Sequence, residues 1–200
     1  MLAEEQAALR RVATLVARGL PPAEVFAAVA QEVRSVLGAD TAPIARLEPD
    51  GVATVVAVAG EPPAALAVGS RWKPEPPLAI ATVLCTGRPA RSDDYSQGSG
   101  PSADAVRRLG VRSGVAAPIV VEGRLWGMIA ILSRRGPFPA DTEKRMAGFT
   151  ELLGTGVANA GSRAQLTASR ARIVAAADDA RRRIERDLWP WASSVWAWDI

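Results

Sequence analysis

Apolar residues recur at helical spacing along the first part of the chain. Leu2, Leu9, Val12, Leu15 and Val16 share one face of residues 2–18, and Gly19 follows as a stop signal. Pro21-Pro22 opens a second stretch of the same kind, in which Val25, Phe26, Val29, Val33, Val36 and Leu37 line one face before Gly38. The pattern then becomes strand-like. Residues 41–47 and 52–58 are β-rich runs on either side of Glu48-Pro49-Asp50-Gly51, a turn sequence suited to a hairpin. Residues 68–72 read as a short third strand.

Residues 78–85 are largely apolar and read as a helix closed by Gly87. A polar stretch begins at residues 91–95. Residues 97–102 form a Gly/Ser/Pro loop, and 103–109 a short helix before Gly110. Residues 111–121 and 124–133 form a second hairpin turning at Glu122-Gly123. Its second arm is almost continuously apolar, as expected of a central strand buried on both faces. After Gly136-Pro137-Phe138-Pro139 a long helix begins. Pro139 suits its first turn, and Asp141 and Glu143 suit the positive end of its dipole. No proline interrupts residues 140–188, and Pro190 is expected to end the helix. Strands joined mainly by hairpins imply an α+β fold: an antiparallel central sheet flanked by helices, with a long C-terminal helix.

Composition narrows the classes. The chain has 200 residues, 48% hydrophobic and 22% charged, which fits one folded domain or one domain with an appendage. Seven arginines against three acidic residues between 163 and 186 give that segment +4 of a net +3. These cations sit on one predicted helix, which reads as a solvated face and argues against a nucleic-acid partner. Cys85 stands alone, so no internal disulfide can form, as in a reducing cytosol. The first residues do not resemble a signal peptide, and no apolar run reaches the ~20 residues needed to span a bilayer. A cytoplasmic location is expected.

The order of elements, with Gly110-Val111-Arg112-Ser113-Gly114-Val115-Ala116-Ala117-Pro118-Ile119 followed by Glu122-Gly123-Arg124-Leu125-Trp126-Gly127, resembles the GAF family of sensory domains. The stretch from Thr86-Gly87-Arg88-Pro89 to Asp93-Asp94-Tyr95 is similar to another segment of that family. The resemblance implies a GAF/PAS-like fold over residues 1–162. Beside it stands a physical reading: Gly123 supplies a tight turn, and Gly127 leaves room for close backbone approach in a central strand.

Residues 164–174 and 178–188, ending Arg181-Arg182-Arg183-Ile184-Glu185-Arg186-Asp187-Leu188, resemble the start of the dimerisation helix of histidine kinases that partner NarL-type response regulators. In that class the motif runs on into His-Asp-Gly, whose histidine accepts the phosphoryl group. Here Trp189-Pro190-Trp191 follows, and the chain has no histidine. Residues 163–188 are therefore expected to be the beginning of a dimerisation helix. Leu166, Ile173, Ala177, Ala180, Ile184 and Leu188 form its seam, at spacings of mostly three and four. Residues 189–200 hold four of the six tryptophans and read as an aberrant tail, the product expected of a reading-frame shift after Leu188.

No enzymatic chemistry is expected. Phosphotransfer needs the missing imidazole. A Ser-His-Asp triad and a His/Cys metal site fail for lack of histidine, and no phosphate-binding Gly-rich loop is present. GAF relatives variously bind haem, bilins or cyclic nucleotides. Here His-ligated haem is ruled out, and bilin attachment is not expected because Cys85 lacks a histidine partner and reads as a small buried hydrophobe. No cofactor is expected; an unidentified small molecule is. Its pocket would lie between sheet and helix near residues 72–115, lined by Trp72, Leu84, Cys85, Tyr95 and Val115, with Arg91 and Arg112 as candidate anchors for an anion. The expected function is a GAF-type signal-input module of a sensor histidine kinase, acting as a homodimer or as a heterodimer with a kinase. The alternative is a stand-alone adaptor that binds an intact kinase through residues 163–188.

Overall fold

The computed structural model describes residues 2–62, 64–76, 78–97 and 101–195. Two helices come first, α1 (Leu2–Arg18) and α2 (Pro22–Leu37). Gly38 closes α2 in the left-handed conformation at φ 65°, and the amide of Ala39 donates to Arg34 O. Strands β1 (Thr41–Leu47) and β2 (Ala53–Gly60) form the first hairpin. Its turn follows the sequence: the Asp50 carboxylate accepts from the Val52 amide, and Gly51 takes φ 77°. Strand β3 (Arg71–Trp72) is shorter than the run expected there. Helix α3 (Ala79–Thr86) precedes β4 (Ala90–Ser92), a strand within the stretch read as polar. Helix α4 (Pro101–Arg108) leads to the hairpin of β5 (Ser113–Val121) and β6 (Arg124–Ser133). Helix α5 (Thr142–Val195) completes the described chain.

The six strands form one sheet in the order β3-β2-β1-β6-β5-β4, with every neighbouring pair antiparallel. The apolar strand β6 lies at its centre, as its sequence requires. Gly127 sits where β6 crosses β1; a Cβ there would collide with the backbone oxygen of Ala45.

The sheet divides the core in two, and strand parity decides which residue joins which half. Val115, Ala117 and Ile119 of β5 and Ile129 and Ile131 of β6 face one side. They pack with Val12, Val29, Val33, Met146, Phe149 and Leu153 from α1, α2 and the start of α5. Ala116, Met128, Ala130 and Leu132 face the other side with Leu66, Leu78, Ile80, Val83, Tyr95 and Val111. The first half is a solid helical layer. The second half, under α3 and α4, is where the sheet is incompletely covered.

The chain divides into two compact units, Met1–Ala160 and Gly161–Ile200. Within the second, the helix runs through Pro190 and does not end there. A helical proline removes one hydrogen bond and kinks the axis, at a cost of about 3 kcal/mol, but residues beyond it can still pair with earlier carbonyls. The last five tail residues, 196–200, and the side chain of Leu188 lie outside the described residues.

Candidate functional site

A cavity of about 460 Å³ opens on the α3–α4 side of the sheet. Its body is apolar: Leu66, Trp72, Leu78, Ile80, Tyr95, Val106, Leu109, Val111 and Leu132. Ser70, Arg71 and Lys73, on the segment that forms β3, add the polar groups. This volume lies in the range of roughly 300–1,000 Å³ typical of small-molecule sites, and the mixture of apolar wall and few polar groups is typical too.

Tyr95 lines the cavity and belongs to the core half beneath it. Its side chain is almost wholly buried. Burial pushes its phenol above the ordinary range, opposed by a backbone hydrogen bond from Ala79 at the N-terminus of α3. Leu78, the residue before that helix, offers no side-chain cap, so the phenol oxygen supplies an acceptor where the helix leaves amides unpaired. Gly114 makes room for the ring: a Cβ there would lie 2.8 Å from the phenol oxygen and 3.1 Å from Leu132 Cδ2. The Tyr95 amide donates to Arg112 O at 2.7 Å. Beside it, the buried Trp72 Nε1 has no hydrogen-bond partner among the described residues.

Of the residues expected at the site, the structure brings Trp72 and Tyr95 together on the cavity wall. Leu84 is half-buried and packs against the same core half without lining the cavity. Val115 lies on the opposite face of the sheet, one residue out of phase with Gly114 and Ala116. Cys85 is exposed, contrary to its reading as a buried hydrophobe, because α3 turns Ala79, Ile80, Ala81 and Val83 inward. Sequence reasoning missed Leu66, Leu78, Ile80, Leu109, Val111 and Leu132, apolar residues that only the fold gathers.

Arg91 is not an open anchor for an anion. Its Nε donates to Glu143 Oε1 at 2.6 Å and its Nη2 to Glu143 Oε2 at 2.7 Å, a bidentate pair. Nη2 also donates to Pro139 O at 2.9 Å and Nη1 to Phe138 O at 3.4 Å. The guanidinium therefore ties β4 to the first turn of α5. This pairing holds the Glu143 carboxyl below its ordinary value, with burial working against it. Arg112 is exposed between β5 and the Tyr95 turn, and its amide donates to Ser133 O at 2.8 Å.

An antiparallel sheet with a helical layer on one face and an apolar, partly covered cavity on the other is the architecture of a small sensory domain. The chain belongs to the GAF family, whose GAF domain model matches residues 21–157. Solved structures with the same fold include the phycoerythrobilin-bound GAF domain of a cyanobacterial phytochrome, at 21% identity, TM-score 0.67, covering 80% of this chain and 97% of that one. The phycocyanobilin-bound GAF domain of a cyanobacterial phytochrome is similar at 22% identity and TM-score 0.67, over 80% of this chain and 96% of that one. The chromophore-binding domain of the bacteriophytochrome RpBphP3 from R. palustris is similar at 15% identity and TM-score 0.63, over 78% of this chain and 62% of that one. No curated protein matches the chain. Among the described residues, no helix is long and apolar enough to cross a membrane.

Proposed function

We propose that this chain is the signal-input module of a cytoplasmic two-component sensor histidine kinase of the class that partners NarL-type regulators. A small molecule would occupy the cavity beside Trp72 and Tyr95. The observation that carries this reading is the short route from that cavity to α5. Tyr95 lines the wall and holds the start of α3, and Arg91, four residues earlier, grips Glu143 at the first turn of α5. A ligand that prefers one packing of α3 and β4 would shift the balance between two settings of that grip. Residues 163–188, with their resemblance to a dimerisation helix, would receive the shift.

The ligand itself is open to experiment. Two of the fold neighbours are bilin-bound, so biliverdin belongs in the screen although this chain has no histidine. A red-shifted absorbance band on mixing would make a bilin the ligand. The module has no enzymatic role of its own in this reading, since no imidazole is available to accept a phosphoryl group.

Hydrogen exchange followed by mass spectrometry tests the route. Occupying the cavity with anilinonaphthalene sulfonate should slow exchange in residues 78–97 and also in residues 142–146. Protection confined to the cavity wall would overturn the transmission reading. Incorporation of labelled phosphate from ATP into the purified chain would overturn the non-enzymatic one.

A further inference from the structure

We propose that the cavity selects an apolar acid: a molecule with a hydrocarbon body and a single carboxylate, held tail-inward with the carboxylate at Lys73. This rests on the reading of the cavity as a ligand site and names the chemical class that the site takes. The polar groups of the cavity are not scattered. Ser70, Arg71 and Lys73 come from one four-residue segment at the sheet edge, while the walls supplied by α3, α4 and β6 are apolar. Among the described residues that line the cavity, two are cationic and none is acidic.

The two cations are not equivalent. Arg71 Nη2 already donates to Asp50 Oδ2 at 3.0 Å, so its charge is largely answered by the β1–β2 turn. Lys73 is exposed and has no partner among the described residues. A flexible ammonium at the mouth of a hydrocarbon-lined cavity is a point charge that a carboxylate can meet without losing all its water. A ligand amine placed there would face Lys73 and Arg71 with no carboxylate on the cavity wall to offset them. A neutral head group would gain the apolar contacts alone.

Calorimetric titration of the purified chain with decanoate, 1-decanol and decylamine separates these cases, because the hydrocarbon is the same in all three. Decanoate should bind roughly fivefold more tightly than decanol, the size expected of one partly exposed ion pair, and decylamine more weakly than either. The decanoate advantage should disappear in Lys73→Gln and survive in Lys144→Gln, a control that removes the same charge from an exposed site on α5. Arg71→Gln, whose charge is shared with Asp50, should reduce it only in part.

Equal binding of decanoate and decanol, or loss of the advantage in the Lys144 control, would overturn the acid selectivity while leaving the cavity as a ligand site. Failure of all three probes to bind would remove the ligand site itself. A chain in which Lys73→Gln changes the affinities of decanoate and decanol by the same factor would also refute the proposal, since the side chain would then act through packing.

Discussion

Among the described residues, Gly60, Gly114, Gly127 and Gly154 leave no room for a single methyl group, or very little. At Gly127 the obstacle is backbone, the carbonyl oxygen of Ala45 on β1. Gly127→Ala must therefore push β6 away from β1 in the centre of the sheet, at a cost of about 3 kcal/mol, the upper part of the range for overpacked cores. At Gly154 the obstacle is the oxygen of Val120, so the first part of α5 lies directly on β5. At Gly114 the neighbours are side chains, and Gly114→Ala should cost less, about 1–2 kcal/mol, by shifting Tyr95 within its pocket. Urea unfolding of the two alanine variants checks the order, which equal midpoints would contradict. A second expectation concerns Cys85. Its exposure means that Ellman's reagent should label one thiol per chain in the native protein, and labelling only after denaturation would place the side chain inward. The role of Gly127 was legible in the sequence because a glycine inside an apolar strand has few other reasons to be there. The placing of Cys85 and Val115 was not. In residues 78–86 only Thr82 and Thr86 are polar, and that short mark of the outer face of α3, on which Cys85 also lies, was outweighed by the apolar run around it. Strand β5 is buried on both faces, so hydrophobicity carries no parity, and an error of one residue moves a side chain through the sheet.

Between elements, ion pairs do the local fastening, among them the one joining β4 to α5. The Arg91 and Glu143 side chains are 26% and 24% exposed, shielded enough for their bidentate bond to contribute about 1 kcal/mol. Its pH dependence has a definite sign. The Glu143 carboxyl is held below its ordinary value of 4.5 by the hydrogen bonds from Arg91. The ionised folded form is therefore favoured, and the contribution is complete above 4.5. It is lost as the pH falls through the depressed value, where the folded-state carboxyl takes up its proton. Glu32, Glu48 and Asp94 are also depressed, so the comparison must be between variants. Glu143→Gln should be less stable than the parent at neutral pH, and the gap should close progressively below 4.5. A gap that stays constant down to low pH would show that the carboxylate charge contributes nothing. Arg91 looked like a free anchor in the sequence because its partner lies 52 positions away, beyond any local pattern. Strand β4 was missed for a related reason. Three half-buried residues, Ala90, Arg91 and Ser92, are too few to show alternation, and only pairing with β5 makes them a strand.

The chain as a whole carries its apolar residues in two different ways. In the unit Met1–Ala160 nearly all of them are gathered on the two faces of the sheet. In the unit Gly161–Ile200, Leu166 is 59% exposed, Ile173 66%, Val174 60% and Ile184 59%. Ala177 and Ala180 are exposed as well. Leu166, Ile173, Ala177, Ala180 and Ile184 recur at steps of seven, four, three and four, the spacing that keeps one helical seam in line and suits packing against a second helix. Arg170 interrupts that seam, and the two alanines offer little area, so the association should be of moderate strength and visible in its concentration dependence. We expect the purified chain to sediment as a dimer of its 21.0 kDa mass at high concentration and to dissociate on dilution. Ile173→Glu should shift that equilibrium to the monomer by placing like charges across the seam, whereas Ala175→Glu, an exposed position on the opposite side of the helix, should not. Because residues 161–195 lie outside the sheet unit, neither substitution should alter the thermal unfolding of that unit in the monomeric state. A chain that remains monomeric at every concentration, or an Ala175 variant that dissociates as readily as the Ile173 one, would remove the seam from the account and with it the physical basis for treating residues 163–188 as a dimerisation helix.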